Sequence, residues 1–104
     1  GLWAQVRLVE AGGGLRAPGD SVLLSCRGSG YNFGSSAVRW YRQALNGRPE
    51  WVSFVSYWGR KKYSVAVEGR AIVSRDNFWS KSSLSLSALQ PRDSARYFCA
   101  IHTE

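Results

Sequence analysis

Histidine is almost absent from this chain, and most of the chemistry that histidine supports goes with it. The one imidazole, His102, has no cysteine partner and no acid–base constellation, so the chain is expected not to be an enzyme and to have no catalytic residues. No cluster of His, Cys, Asp or Glu carries ligand spacing, so no metal and no cofactor is expected. Gly12-Gly13-Gly14 lacks the Lys-Ser/Thr of a phosphate loop and precedes no helix; it reads as a kink in the first strand. No apolar run approaches the roughly 20 residues that a spanning helix needs, so no transmembrane segment is expected. Gly1-Leu2-Trp3-Ala4 is too short for a signal peptide. No Asn-x-Ser/Thr sequon occurs, which predicts no N-linked glycan. Acidic residues are scarce too: seven against 14 Lys and Arg leave a net charge of +7. That balance suits nucleic acid, heparin-like sugars or anionic membranes. The basic residues are nevertheless scattered singly, apart from Arg60-Lys61-Lys62, which reads as a solvated basic surface rather than a dedicated nucleic-acid module.

What is present points to short strands. A chain of 104 residues with 44% apolar content builds one domain around one core. No segment sustains a helical period. Alternation recurs instead: Val22, Leu24 and Cys26 share one face, Leu84 and Leu86 alternate with serines, and Ala95, Tyr97 and Cys99 alternate with Arg96 and Phe98. Between Arg39 and Gln43, Trp40 and Arg42 face one way while Arg39, Tyr41 and Gln43 face the other. Turn signals fall at Pro18-Gly19-Asp20, Asn46-Gly47, Trp58-Gly59 and Asp76-Asn77. The predicted class is all-β, with an inward set of Leu8, Val22, Leu24, Cys26, Trp40, Val73, Leu84, Leu86, Leu89, Tyr97 and Cys99. Two cysteines in a small domain indicate an oxidising compartment, so the expected location is secreted or on the extracellular side of the plasma membrane.

Trp40 follows Cys26 by fourteen residues, and Tyr97 stands two before Cys99 within Asp93-Ser94-Ala95-Arg96-Tyr97-Phe98-Cys99. This Cys…Trp…Tyr-x-Cys pattern resembles the immunoglobulin sandwich of the variable, or V-set, type. Gln5-Val6-Arg7-Leu8-Val9-Glu10-Ala11-Gly12-Gly13-Gly14-Leu15 looks like the first framework of an antibody heavy-chain variable domain, and Gly69-Arg70-Ala71-Ile72-Val73-Ser74-Arg75-Asp76-Asn77 supports the same family. Trp40-Tyr41-Arg42-Gln43 with Gly47-Arg48-Pro49-Glu50-Trp51, and the stretch from Ser87 to Ala100, are closer to T-cell receptor variable domains. The resemblance covers residues 5 to about 101. It implies a V-type antiparallel β-sandwich over residues 5–104 behind an N-terminal extension of residues 1–4. The last strand, with its aromatic-Gly-x-Gly bulge, is expected to be missing, because the chain stops inside the third hypervariable loop at His102-Thr103-Glu104.

Further implications come with the family. A Cys26–Cys99 disulfide would bridge the sheets with Trp40 packed on it, and closing so long a loop contributes ~4 kcal/mol in the chain-entropy picture. The Tyr97 hydroxyl would bond back near Asp93, and Arg70 and Asp93 would pair across the base. Three segments would converge at one end to bind antigen. Asn32, Ser35 and Ser36 come from the first, with Phe33 tucked in as anchor. Tyr57, Trp58, Arg60, Lys61, Lys62 and Tyr63 come from the second, where aromatics interleave with cations and suit an acidic antigen. His102, Thr103 and Glu104 begin the third. Phe78 and Trp79, in the turn between the fourth and fifth strands, are expected to split, one packing on the neighbouring loop and one exposed. Arg39, Tyr41, Gln43, Pro49, Trp51 and Phe98 form the face on which a second variable domain would dock. Arg39 is expected to pair with an acid of the third loop, Glu104 first, with Glu50 the other acid nearby. The function implied is antigen recognition by a heavy-chain-like variable domain without catalysis. The alternatives are a T-cell receptor chain with such a domain, or a non-rearranging V-set receptor or adhesion domain.

Overall fold

Seven residues of strict alternation, Ala37–Gln43, make the central strand: Val38, Trp40 and Arg42 are buried while the residues between them face outward. Around it the computed structural model describes residues 10–11, 16–28, 33 and 36–102. In chain order the strands are β1 (Glu10–Ala11), β2 (Val22–Arg27), β3 (Ala37–Gln43), β4 (Glu50–Val55), β5 (Lys61–Tyr63), β6 (Ala71–Asp76), β7 (Lys81–Leu86) and β8 (Arg96–His102). Among the described residues they form two antiparallel four-stranded sheets, ordered β1-β2-β7-β6 and β5-β4-β3-β8. The all-β class expected from the alternation, and the sandwich that the resemblance implies, are therefore what forms. Phe78 and Trp79 lie between the sixth and seventh strands, β6 and β7, rather than between the fourth and fifth.

β4 breaks its own alternation. Trp40 pairs with Ser53 but Tyr41 pairs with Trp51, so Val52 is an extra residue, and Val52 and Ser53 are both buried. A bulge of this kind re-aims the side chains that follow it. Here it leaves Trp51 opposite Tyr41 on the outer face and Val55 in the core.

The core joins the sheets by a covalent link and by polar ones. Cys26 of β2 and Cys99 of β8 form a disulfide with a Cα–Cα distance of 6.2 Å, as the family resemblance implied. Trp40 is fully buried opposite Cys99 on its own sheet. Its indole Nε1 donates to Ser82 Oγ at 3.0 Å, and Ser82 Oγ donates to the Ser74 carbonyl at 2.7 Å. Ser82 is itself the register partner of Cys26, so indole and disulfide reach the first sheet at neighbouring positions on β7 and β2. Leu24, Leu84, Leu86, Val73, Val52, Val55 and Val67 close around them.

The base of the sandwich carries a charge network centred on Asp93, in the 3-10 turn Pro91–Asp93. Arg70 holds the carboxylate with both terminal nitrogens, Nη1 to Oδ2 at 2.8 Å and Nη2 to Oδ1 at 3.0 Å. Arg42 Nη1 reaches Oδ1 at 3.0 Å and its Nε reaches Glu50 Oε1 at 2.7 Å. The Tyr97 hydroxyl donates to the Asp93 carbonyl at 2.7 Å and accepts from Arg42 at 3.1 Å. Burial works against ionisation of Asp93, but donation from Arg70, from the Gln90 N–H and from Arg42 outweighs it and holds the carboxyl down at about 2. Burial likewise works against the charge on Arg42 and is outweighed by Glu50, Tyr97 and Asp93, so its guanidinium is raised above its ordinary range. Burial pushes the Tyr97 phenol up. Perturbed groups often mark active sites. In this cluster the Asp93 and Arg42 charges are both answered by a partner within 3.0 Å, which is the pattern of a structural clamp.

Candidate binding surface

The turn between β4 and β5 is tightly made. Ser56 N–H donates to the Arg60 carbonyl at 2.9 Å, Gly59 N–H to the Ser56 carbonyl at 3.0 Å, and Arg60 N–H to Ser56 Oγ at 2.9 Å. Gly59 turns the chain at φ +92°, a conformation that costs other residues a Cβ clash. This geometry lifts Trp58 into solvent, 89% exposed, with Tyr57 edge-on against it at 4.7 Å. Arg60, Lys61 and Lys62 follow, all exposed.

Arg75 ties this turn to the first loop. It sits on β6 at the inward parity of Ala71 and Val73, half-buried, and crosses the top of the core. Its Nη2 donates to the Phe33 carbonyl at 2.8 Å, and its Nη1 to the carbonyls of Ser36 at 2.6 Å and Val55 at 3.2 Å. Its Nε donates to Asn77 Oδ1 at 2.6 Å, and its guanidinium lies over the rings of Phe33 and Tyr57. Burial lowers its pKa from the ordinary value, and Tyr57 partly opposes that. Among the described residues no carboxylate lies within ion-pair distance of it. The sequence reading missed Arg75. The signal was there, an arginine at a core position of an alternating strand. Arg75→Ala is expected to cost about 1–3 kcal/mol, since it strips donors from buried carbonyls, and to speed hydrogen exchange at the Ser36 and Gly59 amides. Lysine restores little, because it lacks the planar fork.

Phe33 is buried, as expected of an anchor. A Cβ on Gly28 would lie 2.5 Å from Phe33 Cδ2 and 2.8 Å from Ile101 Cδ1. Gly28→Val therefore has to displace the anchor, and a loss of about 1–3 kcal/mol is expected in urea unfolding.

The structure places the other candidate residues as follows. Ser36, expected at the surface, is 2% exposed: its carbonyl is drawn inward to Arg75. Tyr63 also turns inward, its hydroxyl accepting from the Val73 N–H at 2.8 Å while its ring packs on the core. Phe78 and Trp79 do not split. Both are exposed, and they pack on each other edge-to-face at 5.0 Å. Asn32, Ser35, Thr103 and Glu104 lie outside the described residues, as does Leu8 of the inward set. The His102 backbone ends β8 opposite Ala37.

On the outer face of the second sheet, Tyr41 and Phe98 stack at 5.7 Å with Trp51 opposite Tyr41. Gln43 is nearby, its side-chain amide donating to the Gly47 carbonyl at 3.0 Å, and Pro49 is exposed just before β4. Arg39 lies over the Phe54 ring at 5.0 Å. Glu104, its expected partner, falls outside the described residues, and Glu50 is engaged by Arg42 instead. Among the described residues no group of His, Cys, Asp and Glu could hold a metal ion, and no helix is long and apolar enough to cross a membrane. One hollow lies beside Ala17, Leu89 and Pro91 and another beside Ala44 and Ser94, both at the base of the sandwich. The family model of the immunoglobulin V-set domain matches residues 15–104.

Proposed function

Because the chain belongs to the immunoglobulin V-set family, whose members are variable-type recognition domains, we propose that it recognises antigen as a heavy-chain-like variable domain, through the loops at the end held by Arg75. One observation carries this reading. A single half-buried guanidinium fastens Phe33 and Ser36 of the first loop to Val55 and Tyr57 of the second. That fixes the base of a surface whose tip, Trp58 with Arg60, Lys61 and Lys62, is left free. Rigid aromatic anchors among adaptable polar groups are what a binding surface of this kind needs. Asn32, Ser35, His102, Thr103 and Glu104 complete it in this proposal, and the excess of cations suits an acidic antigen. The Cys26–Cys99 disulfide supports a secreted or cell-surface location.

A second variable domain would dock on Arg39, Tyr41, Gln43, Pro49, Trp51 and Phe98. The Tyr41–Phe98 stack supports this, because it offers a flat aromatic contact. Tyr41, Pro49 and Glu50 also favour a second reading, a T-cell receptor chain carrying such a domain. The native transcript past the Glu104 codon tests both against a non-rearranging receptor. A joining-type strand with an aromatic-Gly-x-Gly bulge is expected; an unrelated continuation would overturn antigen recognition.

A further inference from the structure

We propose that the two adjacent turns at residues 56–60 and 77–80 form one docking tip for an anionic lipid bilayer. In it Trp58, Phe78 and Trp79 enter the head-group region, and Arg60, Lys61 and Lys62 meet the lipid phosphates and carboxylates.

The turns are one unit. Asn77 Nδ2 donates to the Tyr57 carbonyl at 3.3 Å, Asn77 Oδ1 accepts from Arg75, and Arg75 lies over the Tyr57 ring. Within the second turn Trp79 N–H donates to Asp76 Oδ1 at 3.1 Å, and Ser80 takes φ +53°. The aromatics are therefore presented on a held backbone. Trp58 is 89%, Phe78 84% and Trp79 62% exposed. Single exposed apolar residues need no explanation, but three large aromatics on two linked turns mark an interaction site.

Ring geometry and charge choose the occupant. Tyr57 and Trp58 meet at 84°, Phe78 and Trp79 at 88°. Within each pair the perpendicular rings offer no continuous flat face for an extended planar ligand. A fluid apolar boundary accepts rings in any orientation, and indoles favour the membrane–water interface. The three rings stand open to solvent on turns between strands. The cations supply attraction to an anionic leaflet that neutral lipid lacks. The one acid in the second turn's frame, Asp76, already accepts from Trp79 and stands opposite Lys81.

The inference deepens the reading above by giving the loop end a second class of partner. It shares Trp58 and the three cations with that reading, whereas Phe78 and Trp79 belong to it alone. Sedimentation of the full chain with vesicles tests it. Vesicles of phosphatidylcholine mixed with phosphatidylserine should bind at least about tenfold more tightly than phosphatidylcholine alone, and more weakly as salt rises. Doxyl-labelled lipid should quench tryptophan fluorescence on binding. Phe78→Ser with Trp79→Ser, and separately Arg60→Ser with Lys61→Ser and Lys62→Ser, should each lower vesicle affinity about tenfold or more at unchanged melting temperature. No vesicle binding, equal binding to both vesicles, or retention on heparin without vesicle binding would each overturn the proposal. A joining-type transcript with no vesicle binding removes this inference and leaves antigen recognition standing.

Discussion

Asp93→Ala lowers the free energy of unfolding by about 3–5 kcal/mol, the cost of removing one member of a buried ion cluster. Three losses combine. The bidentate Arg70 contact goes, the Gln90 N–H loses its acceptor, and the buried Arg42 keeps only Glu50 and the Tyr97 hydroxyl. Arg42 is the larger part of the penalty, because its charge cannot reach water without opening β3. The same group sets an acid dependence. Asp93 titrates at about 2 in the fold against an ordinary 3.8, so its contribution is whole above 3.8 and disappears as pH falls through 2. The gap corresponds to about 2 kcal/mol. Urea midpoints between pH 7 and 2 should show this loss in the parent chain and its absence in Asp93→Asn. A parent chain whose stability is flat between pH 4 and 2 would contradict the clamp.

Removing the disulfide with Cys26→Ala and Cys99→Ala costs about 2–5 kcal/mol. The bond spans a sequence separation of 73, so its loss releases a long loop in the unfolded chain, and in the folded one it leaves two buried positions beside Trp40 underfilled. The folded parent should incorporate no alkylating reagent, whereas two labelled thiols would show that the bridge is absent. The urea slope should change with the midpoint, since an uncrosslinked chain unfolds to a larger exposed surface.

The core was legible because residue type and spacing both encode it. Cys26, Trp40, Tyr97 and Cys99 are individually unusual, and alternation put Leu24, Val73, Leu84 and Leu86 on the inner face without any fold in mind. The Arg70–Asp93 contact followed from the family pattern. Arg42 shows where such reading ends. Its parity already placed it inward, yet its partners come from β4 and from a turn some fifty residues away, and no local pattern names them. The β4 bulge is silent for the same reason: an extra residue is visible only against its partner strand. Ser36 and Tyr63 were expected outside because small polar and aromatic residues are common in loops, but Arg75 and the Val73 amide draw them in. Phe78 and Trp79 could not be placed by pattern, since each satisfies the other's edge in open solvent.

The central claim is that antigen recognition belongs to the loop end and not to the base of the sandwich. Two display libraries on the same framework test it. One diversifies positions 32, 35, 57, 58 and 60–62, and the other the base turns at 44–48 and 87–90; both are sorted on the same acidic test protein. The loop-end library is expected to yield specific binders that keep the parent melting temperature. Binders arising from the base library alone would contradict the claim.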